Sequence, residues 1–244
     1  MNRARALLIA AMLCLGLASA TAEVKASIAE WLATPIAAPY SSIGAELLDL
    51  GARARSLGVP ERLLVERLDE GALKRVPPQQ LAMVIAQDVG RFATILTMIV
   101  PDGARPGDHA ALSSLLRQGA IMLRAGFQDS ELASIFAKAR SEAAGRNKTR
   151  SSMDIAARAV NAAAVSLDAS IRFGLSPASR LSLGEALAAS ILPELRFEAV
   201  LSMLTRARGL GLQPDATVAI LANGLEKGAS IDALDREISR RAAR

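Results

Sequence analysis

Between Leu81 and Ile99 the large apolar residues fall at Leu81, Val84, Ile85, Phe92, Ile95, Leu96 and Ile99. Steps of three and four put them on one stripe of a long helix. Asp88 and Arg91 interrupt the run, and their charges make a lone membrane span too costly. Elsewhere strand signals are nearly absent, and Ala, Leu, Arg and Glu, which favour helix, dominate. The pattern predicts helices over 25–34, 41–57, 60–70, 78–100, 108–125, 129–144, 152–173, 177–191, 193–208, 214–223 and 231–242. The expected fold class is all-α, built of stacked antiparallel helix pairs with short connections. An open helical-repeat solenoid and a closed bundle fit this pattern equally.

The breaks between helices have a mechanism. Pro60, Pro177, Pro193 and Pro214 stand where first turns should begin, and proline loses nothing there because its missing N–H would be unpaired anyway. Gly58, Gly71, Gly126, Gly145, Gly174, Gly209 and Gly224 stand where helices should end. Glycine enters the left-handed cap conformation without a Cβ clash. Gly58, Gly71, Gly126, Gly174 and Gly224 are therefore expected to be structural caps, with Gly71 and Gly224 at positive φ. Asp108, Asp129, Ser152, Ser176 and Ser230 are candidate N-caps.

One segment recurs. "GVPERLLVERLDEGALKRVPPQQLAMVI" (58–85) and "GLQPDATVAILANGLEKGASIDALDREI" (211–238) align without a gap. They share Gly58/Gly211, Val65/Val218, Leu68/Leu221, Gly71/Gly224, Lys74/Lys227, Leu81/Leu234 and Ile85/Ile238. The matched apolar residues lie three or four apart, so each set is one buried stripe. Fainter echoes open with "GFQD" at Gly126 and "GLSP" at Gly174. Helix pairs of this length are the building blocks of helical-repeat arrays. The pattern G-[LV]-x-P or G-V-P, an apolar helix, "EGALK" or "NGLEK", and a second helix resembles uncharacterised exported bacterial helical-repeat-like proteins. The resemblance implies a helical fold and export, and no activity.

The first residues read as an export signal. "MNRAR" is a short basic start, Ala6–Leu17 an apolar run, and "ASATAEV" offers A-x-A sites at Ala18–Ala20 and Ala20–Ala22. The run is shorter than the roughly 20 apolar residues of a spanning helix. Cleavage after Ala20 or Ala22 fits, with Ala22 preferred. The expected organisation is 1–22 signal peptide, 23–40 N-terminal arm and 41–244 a single helical domain. Cys14, the only cysteine, lies inside the apolar run behind a leucine, which disfavours lipid attachment. A processed chain therefore has no disulfide and no thiolate metal ligand. Removing Arg3 and Arg5 lowers the formal charge of +5 by two. The remaining Lys and Arg are spread among Asp and Glu, which argues against a nucleic-acid partner.

The usual catalytic inventory is nearly empty. There is one histidine, no cysteine beyond the leader, and no G-x-S-x-G, H-E-x-x-H, phosphate-loop or dinucleotide motif. His109, with Asp102 and Asp108 nearby, is a weak metal candidate, since one imidazole without spaced partners makes a poor site. Glu194 and Glu198 share a helix face but lack a partner motif. Lys74 and Lys227, like Arg140, Arg206 and Arg208, suit helix C-termini, where a cation meets the dipole. Trp31 and Tyr40 flank "LATPIAAP", and Trp31 is expected to anchor the N-terminal segment. The first choice for a binding patch is "GRNKTRSS": Arg146, Lys148 and Arg150 precede a helix N-terminus, where an anion or an acidic lipid headgroup could sit.

Together these features predict an exported, soluble, periplasmic protein with no cofactor. Its expected role is binding or scaffolding, with another envelope protein as partner. The alternative is an amphiphile- or membrane-surface-binding protein with an acidic lipid surface as its target. An enzyme is the third reading.

Overall fold

The computed structural model describes residues 27–100, 109–145 and 151–243. The proposed leader, its cleavage sites and the Arg146, Lys148, Arg150 loop lie outside these residues. Among the described residues the chain forms eleven α-helices and no strand. They are α1 (Ile28–Leu32), α2 (Gly44–Ser56), α3 (Arg62–Leu73), α4 (Pro78–Ile99), α5 (His109–Arg124), α6 (Asp129–Gly145), α7 (Ser152–Phe173), α8 (Pro177–Ala189), α9 (Ala199–Gly209), α10 (Pro214–Glu226) and α11 (Ile231–Ala242). A 3-10 helix (Pro35–Ile43) leads into α2, and a short one (Glu194–Arg196) leads into α9. Prolines at 35 and 39 have no N–H to leave unpaired in the first.

The two 22-residue helices, α4 and α7, run through the interior. Helix α4 packs on α2, α3 and α5, and also meets α6 and α7; α7 packs on α5, α6 and α8. Helix α8 then meets α10, and α9, α10 and α11 close the far end. One apolar cluster runs from Ile28 to Ile238 through all of them. Helix α4 is long and apolar enough to cross a membrane by length and composition alone. Its stripe of Leu81, Ile85, Phe92, Ile95 and Ile99 is instead buried among the other helices.

Four helix junctions share one geometry. Gly58, Gly126, Gly174 and Gly211 all have positive φ, and the apolar residue after each packs inward: Val59, Phe127 and Leu175 are buried, Leu212 half-buried. At Gly58, Gly126 and Gly211 the helix closes with paired bonds. Val59 N–H donates to the Ala54 carbonyl at 2.9 Å, Phe127 N–H to Met122 at 3.1 Å and Leu212 N–H to Ala207 at 3.0 Å. These are Schellman closures, which need a left-handed residue. Helix α8 opens on Pro177 and α10 on Pro214.

Gly71 and Gly224 are not the left-handed caps that the sequence predicts. Both lie inside their helices, which continue to Leu73 and Glu226. The positive φ falls four residues later, at Arg75 (54°) and Gly228 (73°). Gly71 and Gly224 serve the cap through their carbonyls, each accepting at 2.9 Å, from Val76 N–H and Ala229 N–H. They are glycine for a different reason. A Cβ on Gly71 would come within 3.0 Å of Leu81 Cδ1, and one on Gly224 within 3.0 Å of Leu234 Cδ2. In each pair the leucine of the following helix lies directly on the glycine backbone. The shared residues of the repeat thus record one packing contact made twice, at α3/α4 and at α10/α11.

Smaller differences have equally local causes. The N-cap of α7 is Ser151 rather than Ser152; its hydroxyl accepts from Asp154 N–H while the Asp154 carboxylate accepts from Ser151 N–H. Ser176 and Ser230 cap α8 and α11 as expected. The single helix expected over 193–208 divides, because Glu194–Arg196 winds as a 3-10 turn before α9 begins.

Candidate functional site: arginines gathered on a buried aspartate

The N-terminal arm is docked. Ile28 and Trp31 are buried; Trp31 Nε1–H donates to Asp69 Oδ1 at 2.8 Å, and Tyr40 O–H donates to the Val76 carbonyl at 3.0 Å. The Ile28 N–H donates to Glu61 Oε1 at 2.8 Å, and Arg55 pairs with the other oxygen of the same carboxylate. Trp31 therefore anchors the arm, as its sequence setting implies, and Tyr40 is a second anchor beside it.

Asp88 is the most deeply buried carboxylate of the cation clusters, at 0% exposure in the middle of α4. An isolated charge there would be prohibitively costly, so it must be paired. Arg91, one turn on, donates from Nη1 to Oδ1 at 2.9 Å; Arg67 of α3 donates from Nε to Oδ2 at 3.0 Å; Arg124, ending α5, stands 3.8 Å from Oδ2. Three guanidiniums thus converge on one carboxylate. Arg67 also pairs with Glu70, whose other oxygen accepts from Lys74 Nζ at 2.6 Å. The Lys74 bond, with help from the Arg67 and Arg124 charges, holds the Glu70 carboxyl below its ordinary pKa. Burial lowers the Arg124 pKa, and the like charges of Arg67 and Arg91 lower it further, against the pull of Asp88.

Two more arginines are buried. Arg158 of α7 donates to the carbonyls of Ala188 (2.7 Å), Leu187 (3.0 Å) and Leu192 (3.0 Å), and to that of Ser190. Its guanidinium also lies over the Phe197 ring, 4.9 Å from the centroid. It closes the C-terminus of α8, where unpaired carbonyls and the dipole favour a cation. Arg180 of α8 pairs with Glu131 at 2.7 Å, donates to the Gly126 carbonyl at 3.2 Å, and stacks 4.3 Å from the Phe127 centroid. Both act as fasteners between helices.

The other sequence candidates are dispersed. Lys74 and Lys227 are the C-cap residues of α3 and α10. Arg140 donates from α6 to the Met98 carbonyl, at the end of α4 rather than of its own helix. Arg206 pairs with Asp235, and Glu194 accepts from Asn161 Nδ2 at 2.8 Å. Arg208 borders a cavity of about 560 Å³ with Phe173, Leu212 and Pro214. His109 opens α5, and its carbonyl accepts from Ser113 Oγ and Arg62 Nη2. Its two acidic neighbours in sequence lie outside the described residues.

Sequence reasoning passed over the Asp88 cluster. In the sequence Asp88 and Arg91 speak only against a membrane span, and nothing marks Arg67 or Arg124. The available signal was an Asp with an Arg three residues on, both inside an apolar helix. No protein-family model, curated protein or solved structure matches the chain.

Proposed function

We propose that the chain is an exported, non-catalytic binding or scaffold protein of the bacterial cell envelope, acting in the periplasm on another envelope protein. The observation that supports this is the repeated helix junction. Of the residues common to the two ends of the chain, Gly71/Leu81 and Gly224/Leu234 are spent on packing, and apart from the cap glycines Gly58/Gly211 and the C-cap lysines Lys74/Lys227 the exposed positions differ. Helical-repeat scaffolds are organised in this way: constant residues hold the stack, and variable faces meet partners. The three-part leader and the resemblance to exported helical proteins support the location.

The test is capture from a crosslinked envelope fraction with the tagged, processed chain. The expected result is saturable enrichment of one or a few envelope proteins, competed by untagged chain. Recovery of none would end the scaffold reading.

Exposed apolar residues favour a second reading, an amphiphile- or membrane-surface-binding protein. Ile191 and Leu195 stand out on the α8–α9 connection, Leu195 at 97% exposure. On this reading the protein floats with acidic liposomes, and changing Arg146, Lys148 and Arg150 to Gln abolishes flotation without lowering the melting temperature. A wild type that ignores acidic liposomes at low salt removes it.

A further inference from the structure

The cluster around Asp88 holds more positive charge than its own residues neutralise. Among the described residues Arg67, Lys74, Arg91 and Arg124 form ion pairs only with Asp88 and Glu70, which leaves two positive charges in excess within these pairs, and Asp129 shares a cavity with Arg91. A carboxylate buried for the sake of an ion pair needs one partner, or two. Three guanidiniums crowded on one carboxylate repel one another.

The donors are also underused. A guanidinium carries five N–H donors. Among the described residues Arg91 spends one, on Asp88, and Arg124 donates one, to the Ala120 carbonyl at 3.2 Å. The side chains of Arg67, Arg91 and Arg124 are 27%, 30% and 28% exposed. Arg67 and Arg91 therefore have one side fixed on the buried carboxylate and Arg124 stands beside it, while part of each side chain is open to solvent. Arg91 borders a cavity of about 430 Å³, whose other walls are Leu123, Phe127, Gln128, Asp129 and Ser130.

We propose that Arg67, Arg91 and Arg124 form a binding site for a phosphate group, with Asp88 as the buried post that fixes their guanidiniums. The gathered positive charge favours an anion, and phosphate oxygens match the forked donors of guanidinium groups. Asp88 replaces the ordering that free arginine side chains would otherwise undergo on binding. Asp129, exposed on the cavity rim, repels an anion and confines the phosphate to the arginine side. Leu123 and Phe127 then face the remainder of the ligand, which is apolar where it meets them. Free phosphoanions and phospholipid headgroups share this chemistry.

The inference stands apart from the envelope-scaffold reading and is tested separately. Inorganic phosphate is titrated calorimetrically into the processed chain, against chloride at matched ionic strength. Vesicles of phosphatidylcholine with and without phosphatidic acid form the second arm. Saturable binding of free phosphate alone identifies a soluble phosphoanion site; binding only to phosphatidic acid vesicles identifies a headgroup site. In either case Arg91→Gln lowers affinity about tenfold or more. Arg91→Lys recovers only part of it, because an ammonium is not a fork. Ser130→Asp, on the exposed rim and outside the ion pairs, weakens binding with the melting temperature unchanged, so the site stays testable if Arg91→Gln fails to fold. No binding above the chloride and phosphatidylcholine controls overturns the proposal. So does wild-type affinity in folded Arg91→Gln or in Ser130→Asp.

Discussion

At the scale of single residues, two glycines of the same helical type carry opposite meanings. Gly71 sits under Leu81, with no room for a Cβ, whereas Gly90, on the outer face of α4, has nothing within 4 Å of where a Cβ would stand. Alanine is the better helix former by about 0.8–1.0 kcal/mol. At Gly90 that gain is unopposed, so Gly90→Ala should raise stability by up to about 1 kcal/mol. At Gly71 the same change forces Leu81 to move inside a packed core, and overpacking costs about 1–3 kcal/mol. Gly71→Ala should therefore lower stability, as should Gly224→Ala at the matching contact with Leu234. Urea denaturation midpoints of the three variants test this. Equal shifts at Gly71 and Gly90 would mean that Leu81 moves aside freely and the glycine is not a packing residue.

At the scale of helices, the chain is legible where periodicity and punctuation agree. The expected helices over 152–173 and 231–242 match α7 and α11 at both ends; each has a serine at its start, and α7 has Gly174 at its end. The expectation fails where one residue type serves two purposes. Gly71 reads as a stop because glycine is most often needed for positive φ, yet here it is needed for close approach. Arg75 takes the positive φ itself, a conformation that propensity gives no reason to expect of arginine. The Asp88 cluster stayed hidden because its members come from three helices, and only the fold brings Arg67 and Arg124 to Asp88. Arg158 was equally unreadable, since its partners are backbone carbonyls at the end of another helix. Its role yields a prediction. Arg158→Met fills most of the space but strips the α8 terminus of its donors. The cost should be about 2–4 kcal/mol, from losing charge-assisted hydrogen bonds and leaving buried carbonyls unpaired. Arg158→Lys should recover little, because one ammonium cannot reach carbonyls spread from Leu187 to Leu192. Chemical denaturation of both variants decides; a loss under about 1 kcal/mol in Arg158→Met would show that solvent or rearranged backbone satisfies those groups.

At the scale of the whole molecule, the repeat and the core make opposite demands on unfolding. A stack in which each helix pair meets only its neighbours would lose its ends first, since stability there is a sum of local terms. The matching ends, α3–α4 and α10–α11, would then melt apart from the middle. The packing argues otherwise. Helix α4 belongs to the first unit yet meets α5, α6 and α7 as well, and Asp88 ties α3 and α4 to α5 through charged contacts. At the other end α8 joins α6 and α7 to α10, with Arg158 fastening it to α7 and Arg180 fastening it to α6. Among the described residues the apolar cluster is continuous from one end to the other. The described chain should therefore unfold as one cooperative unit, with calorimetric and van't Hoff enthalpies equal and Trp31 fluorescence changing together with far-ultraviolet circular dichroism. Trp31 is a sharp reporter because it is the only tryptophan and is buried at the N-terminal end. If its signal changes well before the helical signal, the arm and first unit come away alone. The coupling assigned here to α4 and the Asp88 cluster would then be too weak to hold the two ends in one transition.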